Sequence, residues 1–396
     1  MDRDTKVLVC GCGRIGSPLL TFLAGYYDAY GVDVDPSILG KVNARFKEDG
    51  WQEALDELGN RVPGIYDYET LKTMHVPQHG AFEVCVITCG TPVDNNQNPD
   101  TSQLKACGNA LVENGLVDEH TLVIMRSTLF PGGTRWFQRY IEDTYGLRLR
   151  IVFCPERIAE GHTFKELADL PQIVAGDNYN VLQEAESFFE VFSDDVQYLN
   201  PQEGGTVAGE LAKLMCNVWR YITFATANEF SMICDNNRVD FNAVRRAVNT
   251  NYDRANIPMA ALNLGGPCLG KDAKILGAFS EIDEITGAAY NVAEKTCIHY
   301  INKYREDIPL LKVAVLGLGF KAGSDNNMNS LSYKAIKHLE ILGAKEIMTH
   351  DPHIKHPRYH TPLRLAIQAD LVIVMTEHPE YAHLDNKLLG TRVIRL

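Results

Sequence analysis

A thiol, ammonium groups, carboxylates and a carboxamide fall within two short stretches of the chain, Glu210-Leu211-Ala212-Lys213-Leu214-Met215-Cys216-Asn217 and Gly265-Gly266-Pro267-Cys268-Leu269-Gly270-Lys271-Asp272. Cys268 follows a Gly-Gly-Pro turn and precedes a segment, Leu269 to Phe279, with helical spacing. A thiol at a helix start with a lysine close by favours the thiolate, and Asp272, one turn on, is placed to position or deprotonate a water. Glu210, Lys213 and Asn217 are spaced i, i+3, i+7 and share one helix face. A lysine with an amide one turn away cradles an alkoxide or oxyanion. Together these groups can oxidise an alcohol through a covalent thioester. Plainer readings stay open: a lone cysteine is commonly inert packing, and a helical Lys-Glu pair is commonly a solvated ion pair.

The elements that must hold these groups read from both ends of the chain. Lys6-Val7-Leu8-Val9-Cys10 is a buried-type strand, Gly11-Cys12-Gly13-Arg14-Ile15-Gly16 a tight loop, and Ser17 to Tyr27 a helix; Ala29 to Val34 is a second strand that carries Asp33. This is G-x-G-x-x-G in its proper setting. Glycines let the backbone approach a pyrophosphate, the helix start supplies amides, and Asp33 accepts hydrogen bonds from a ribose, which favours NAD over NADP. Gly11, Gly13, Arg14, Ile15, Gly16 and Asp33 are thus expected cofactor residues. Further strands are expected at Val84 to Thr88, Thr121 to Met125 and Arg150 to Phe153. The loops after two of them, with Gly90, Thr91 and Pro92 and with Ser127 and Thr128, lie at carboxyl strand ends and are sited to line the nicotinamide pocket.

Strands alternating with helices predict a parallel sheet covered on both faces. Thr206 to Asp235 reads as one long helix, Phe241 opens another, and strands return at Lys312 to Leu316, Glu346 to Met348 and Asp370 to Val374. The expected fold is α/β: two Rossmann-like, doubly wound parallel-sheet domains, 1–200 and 301–396, joined by a helical segment, 201–300. The two α/β ends look alike only in architecture.

The 396 residues carry a net charge of −13 and no basic run that could track a phosphate backbone, so nucleic acid is not an expected partner. No apolar stretch is long enough to span a bilayer and no signal peptide precedes the first strand, so neither membrane nor secretion is expected. Ten cysteines without paired spacing exclude a Cys-x-x-Cys metal site and fit a reducing cytoplasm.

With these residues in view, the chain resembles the nucleotide-sugar 6-dehydrogenases, the UDP-glucose, UDP-N-acetylhexosamine and GDP-mannose dehydrogenase family, over nearly its whole length. The markers are the loop at Gly11 to Gly16, Gly90-Thr91-Pro92, Ser127-Thr128 with Gly133-Thr134, Cys154-Pro155-Glu156-Arg157 with Glu160-Gly161, Lys213 with Asn217, Asn228-Glu229, Gly266-x-Cys268 with Lys271-Asp272, Leu316 to Lys321, and Thr376-Glu377-His378. The resemblance implies NAD as cofactor, a UDP-sugar as substrate, an N-acetylhexosamine ahead of glucose, and a homodimer built on the long helix. It implies Cys268 as nucleophile, Lys213 and Asn217 as oxyanion stabilisers, Asp272 with Thr128 in proton transfer, and Glu156 and Glu160 in acid-base assistance, Glu160 also near the cofactor. Arg254, Gly266 and Lys321 are implied on the substrate, Arg254 in the neighbouring subunit's site. Departures are Gln172 where an arginine is expected, Asn326 and Met328 in Ser324 to Ser330, and a tail ending Val393-Ile394-Arg395. A two-electron hydroxyacid-type dehydrogenase, with Cys268 only structural, and a catalytically weak nucleotide-sugar-binding protein are the alternatives.

Overall fold

The computed structural model describes residues 1–42, 50–94, 98–158, 162–384 and 391–396. The chain divides into two compact units, Met1–Leu214 and Met215–Leu396. The division falls inside the long helix Thr206–Asn236.

The first unit is built on a sheet of β1 (Lys6–Cys10), β2 (Asp28–Val32), β3 (Gly40–Lys41), β4 (Gly64–Tyr66), β5 (Val84–Ile87), β6 (Leu122–Met125), β7 (Arg150–Phe153), β8 (Gln172–Gly176) and β9 (Val196–Leu199). Their order is β3-β4-β2-β1-β5-β6-β7-β8-β9. From β4 to β7 every neighbour is parallel. At the margins β3 runs antiparallel to β4, and β8 antiparallel to β7, so the sheet is mixed rather than wholly parallel. Strands β5 and β6, and β1 after Lys6, are apolar at every position because both faces are covered. Successive side chains point to opposite faces: Val7, Val9, Val84, Val86, Leu122 and Ile124 enter one core cluster, while Leu8, Cys10, Cys85, Ile87, Val123 and Met125 enter the other. Strand order reverses between β1 and β5, the topological switch point at whose carboxyl ends ligands bind.

The second unit begins in the same long helix and continues through helices Phe241–Asn249, Leu269–Gly277 and Glu284–Asn302. A parallel sheet follows, of β10 (Lys312–Leu316), β11 (Glu346–His350), β12 (Leu371–Val374) and β13 (Arg392–Ile394), in the order β11-β10-β12-β13. Val313, Val315, Leu371 and Ile373 pack on one side with Cys297, Tyr300 and Ile301 of the helical segment. Ala314, Leu316, Val372 and Val374 form a smaller core on the other side. No helix among the described residues is long and apolar enough to cross a membrane.

Candidate active site

In the first unit the loop between β1 and helix Gly16–Ala24 has the geometry a dinucleotide needs. Gly11 holds φ at +93°, a left-handed value that favours glycine, and a Cβ on Gly16 would lie 1.9 Å from the Gly11 carbonyl oxygen. Around Gly13, by contrast, a Cβ would meet nothing within 4 Å among the described residues, which leaves an open cradle over the loop. The helix starts with no side-chain cap and no acid in its first turn, so its partial positive charge faces the loop uncompensated. Asp33, half-buried just beyond β2, accepts the Cys12 amide at 2.6 Å and the Asp35 amide at 2.8 Å. Each carboxylate oxygen has room for a further donor, so the residues present fit the two hydroxyls of an adenosine ribose.

The two loops expected beside the nicotinamide are tied to each other. The Thr91 hydroxyl donates to the Thr128 carbonyl at 2.6 Å, and the Ser127 hydroxyl to the Cys89 carbonyl at 2.7 Å. Glu210 is fully buried, and its two oxygens accept the amides of Gly132 (2.5 Å) and Thr134 (2.6 Å), capping helix Gly133–Tyr145 from the long helix. Burial pushes the Glu210 carboxyl up, and those amide bonds partly offset the shift. The solvated Lys-Glu pair that helical spacing allows does not form: Glu210 holds the Ser127-Thr128 loop, and Lys213 donates to the Glu156 carbonyl oxygen.

Glu156 is fixed at its side chain as well. Oε2 accepts Arg126 Nη2 at 2.6 Å and Nε at 3.1 Å, while Oε1 accepts the amides of Arg157 at 2.9 Å and Ile158 at 3.1 Å. Burial disfavours the Arg126 charge, but Glu156 outweighs it and the guanidinium holds its proton more tightly than usual. Arg126 also reaches Gln172 Oε1 at 3.3 Å, so a guanidinium borne on β6's loop stands beside the position where an arginine was expected. Glu160 lies outside the described residues.

In the second unit Cys268 is exposed and is the N-cap of helix Leu269–Gly277. Its carbonyl accepts the Asp272 amide at 2.8 Å, one turn on. Asp272 is buried, and its Oδ2 accepts the Asn217 amide group at 2.6 Å. Oδ1 has no hydrogen-bond donor among the described residues, with the Lys271 ammonium 3.4 Å away. A buried carboxylate oxygen left without a donor is where a water or hydroxyl would be held. Gly266 has φ +107°, and a Cβ there would meet the Phe320 ring at 2.7 Å, so the turn before the thiol packs directly on the segment that carries Lys321. Lys321 is half-buried; Arg254 is exposed, its guanidinium 4.9 Å from the Tyr252 ring centroid. Met328 is 58% exposed.

Two organising residues of the second unit, Asn263 and Asp351, carry no signal in the sequence. Asn263 donates to the Gly319 carbonyl, Thr376 and Ser330 at 2.9 to 3.0 Å and accepts the Leu331 amide at 2.8 Å, binding the Cys268 turn to the glycine loop after β10. That loop repeats the device of the first unit more closely than architecture alone requires. Gly317 (φ +83°) donates to the His350 carbonyl at 2.9 Å as Gly11 does to Val32, and Asp351 accepts the Leu318 and Gly319 amides at 2.6 and 3.0 Å as Asp33 accepts Cys12. The difference lies in the acid's surroundings. Asp351 is buried and takes His378 Nε2 at 3.1 Å. Burial opposes its charge, but His378 and three backbone amides hold the carboxyl well below the usual range. An acid enclosed in this way has no face left for a ribose. Arg395 of the tail pairs with Glu377 through two bonds of 2.5 and 2.6 Å.

A glycine loop with its acid at the switch point of a parallel sheet, in one chain with a thiol-bearing helix start and a second glycine-loop fold, defines a dinucleotide-dependent oxidoreductase. The chain belongs to the UDP-glucose/GDP-mannose dehydrogenase family of NAD-dependent enzymes: residues 5–193 match its NAD binding domain, 207–302 its central domain and 314–395 its UDP binding domain. It is 28% identical to the UDP-N-acetyl-D-mannosamine dehydrogenase of Pyrococcus horikoshii, over 97% of this chain and 92% of that protein. Identity to the NDP-N-acetyl-D-galactosaminuronic acid dehydrogenase of Ralstonia nicotianae is 24%, over 100% and 96%. The solved UDP-D-ManNAc dehydrogenase of P. horikoshii superposes with a TM-score of 0.86 at 25% identity, covering 98% and 93% of the two chains. A UDP-glucose dehydrogenase from Pyrobaculum islandicum shares the fold, with a TM-score of 0.83 at 22% identity over 99% and 97%.

Proposed function

We propose that this enzyme oxidises the C6 alcohol of a UDP-N-acetylhexosamine to the uronate in two two-electron steps, with Cys268 as covalent nucleophile. NAD, when bound, supplies the hydride acceptor for each step. The observation that carries the reading is Asp272: a buried carboxylate with one oxygen tied to Asn217 and the other without a hydrogen-bond donor among the described residues, 3.4 Å from the Lys271 ammonium, one helical turn from an exposed cysteine. The C6 hydroxyl loses its proton and a hydride to give an aldehyde. The Cys268 sulfur adds to that carbon and the oxygen takes a proton, giving a thiohemiacetal. Loss of the second hydride and of that proton leaves a thioester; water, held and deprotonated by Asp272, adds to it and expels the sulfur, releasing the carboxylate. Asn217 and Lys213 donate to the successive oxyanions, Thr128 assists proton transfer, and Arg254, Gly266 and Lys321 serve the substrate. Glu160 is proposed for acid-base assistance, while Glu156, committed to Arg126 and two amides, acts by holding the carbonyl that receives Lys213.

The similarity to proteins named as UDP-N-acetyl-D-mannosamine dehydrogenases supports an N-acetylhexosamine ahead of glucose. Three functional segments, 1–200, 201–300 and 301–396, would carry cofactor binding, thiol chemistry with dimerisation, and nucleotide binding. Exposed Met215, Trp219, Phe230 and Ile233 recur at helical spacing along the long helix and support a homodimer through it. Ten free cysteines support a reducing, cytoplasmic setting. The test is a panel of UDP- and GDP-sugars incubated with NAD: the reading expects uronate from a UDP-N-acetylhexosamine with two NADH per product and none from Cys268→Ser. A Cys268→Ser protein with full turnover would instead mark a two-electron dehydrogenase.

A further inference from the structure

Three cysteines that take no part in this chemistry converge beneath the cofactor loop. Cys10 ends β1 immediately before Gly11, Cys89 lies just past β5 before Gly90, and Cys107 sits in helix Ser102–Glu113. Cys10 and Cys107 are buried in one apolar cluster on one face of the sheet, and Cys89 packs against it. The Cys10 sulfur is 3.0 Å from that of Cys107 and 2.9 Å from the Tyr68 hydroxyl. Two sulfurs at 3.0 Å stand only about 1 Å beyond the covalent S–S length of about 2.05 Å.

Exposure separates Cys89 from the other two. Cys10 and Cys107 are 2% and 6% exposed, whereas Cys89 is half-buried. A hydrogen bond from Cys107 lowers the Cys89 thiol, with burial opposing and Ser127 helping. Its partner Cys10 first, then Cys89 and enclosure, push the Cys107 thiol well up. The least enclosed of the three sulfurs, Cys89, thus packs against a cluster in which the Cys107 and Cys10 sulfurs stand 3.0 Å apart. A low-pKa, accessible thiol backed by a resolving thiol is the arrangement that peroxides oxidise selectively.

We propose that Cys89, Cys107 and Cys10 form a peroxide-reactive site whose end product is a Cys10–Cys107 disulfide under the NAD loop. Hydrogen peroxide transfers one oxygen to the Cys89 sulfur, giving a sulfenic acid and one water. The Cys107 sulfur attacks the Cys89 sulfur; its proton leaves with the hydroxyl as the second water, and a Cys89–Cys107 disulfide forms. The Cys10 sulfur then attacks Cys107, displacing Cys89, which takes the proton that Cys10 gives up. In sum two thiols are oxidised by one peroxide, which is reduced to two waters. Closing the last ångström pulls on the strand end that carries Gly11. That glycine has no slack, since a Cβ there would already stand 2.9 Å from the Cys89 amide nitrogen. Oxidation therefore weakens NAD binding, whichever sugar the enzyme takes.

The experiment uses full-length Cys268→Ala protein, so that the exposed thiol consumes no oxidant. It is treated with hydrogen peroxide, remaining thiols are alkylated, the digest is mapped by mass spectrometry, and NAD binding is followed by calorimetry before oxidation, after it and after dithiothreitol. The expected result is a Cys10–Cys107 cross-linked peptide, a several-fold weaker NAD affinity, and recovery on reduction. Cys107→Ala should form no cross-link and keep its NAD affinity in peroxide, and Cys89→Ala should cross-link more slowly. Alkylated Cys10 and Cys107 beside a Cys89 oxidised to the sulfinic acid would overturn the proposal, as would a persistent Cys89–Cys107 product or a cross-link that leaves NAD affinity unchanged.

Discussion

Both oxygens of the Glu156 carboxylate are committed to the protein itself, one to Arg126 and one to the amides of Arg157 and Ile158. Removing one partner of such a buried pair leaves an uncompensated charge. Arg126→Met is expected to cost about 3–5 kcal/mol, read from denaturant unfolding. An Arg126→Met, Glu156→Gln double variant should recover part of that loss; equal losses in the two would mean that the ion pair is not what is being lost. Because the Glu156 carbonyl receives Lys213, the single variant should also lower kcat. At the cofactor end, Asp33→Ala removes a charged acceptor worth about 1.5–3 kcal/mol, a loss of roughly 10- to 100-fold in NAD affinity. NADP affinity should not fall with it, and calorimetry with both cofactors checks the pair. Glycine spacing and Asp33 were legible in the sequence because the cofactor imposes its pattern locally. Arg126 was not, since a buried guanidinium is defined by partners 30 and 46 residues away.

At the scale of elements, apolar runs predicted β7 and β10 at their observed bounds and the long helix to within a residue. The runs are readable because, past the opening Arg150 and Lys312, strands covered on both faces carry apolar side chains without interruption. β3, β4, β8, β9 and β13 lack that pattern: β3 is two exposed residues, β8 opens on Gln172, and β9 is largely half-exposed. The capping of helix Gly133–Tyr145 by Glu210 was equally hidden, because it joins elements 76 and 78 residues apart. An element-scale pH effect follows from His75, at the end of helix Tyr68–Met74. Its ring is buried and stacked on Phe82 at 3.9 Å, with Nε2 lacking a partner among the described residues. Burial, with His79 adding to it, lowers its pKa to about 4. An unfolded imidazole titrates near ~6.5, so between those values the unfolded chain binds more protons. Its contribution is whole above the unfolded value and is lost as pH falls toward about 4. His75→Phe should flatten the fall in thermal midpoint across that window; an identical fall in both proteins would count against the assignment.

For the whole molecule, the two units use one loop device for different ends: Asp33 is open to a ribose, and Asp351 is closed by His378. That contrast accords with one unit matching an NAD binding domain and the other ending in a UDP binding domain. Trp219 is 69% exposed on the long helix, an apolar exposure that a second copy would cover. Trp219→Glu is expected to shift the protein toward monomer in sedimentation velocity, and a wild-type chain that sediments as a monomer would remove the homodimer from the account. In the proposed reaction Cys268 carries the sugar as a thioester that Asp272 helps water to cleave. Asp272→Asn protein, mixed with NAD and a UDP-N-acetylhexosamine, quenched in acid and weighed intact, tests it most directly. The expected result is a mass increase equal to the uronyl adduct, mapped to Cys268 and removed by hydroxylamine; an unmodified Cys268 in a variant that still reduces NAD would overturn the thioester route.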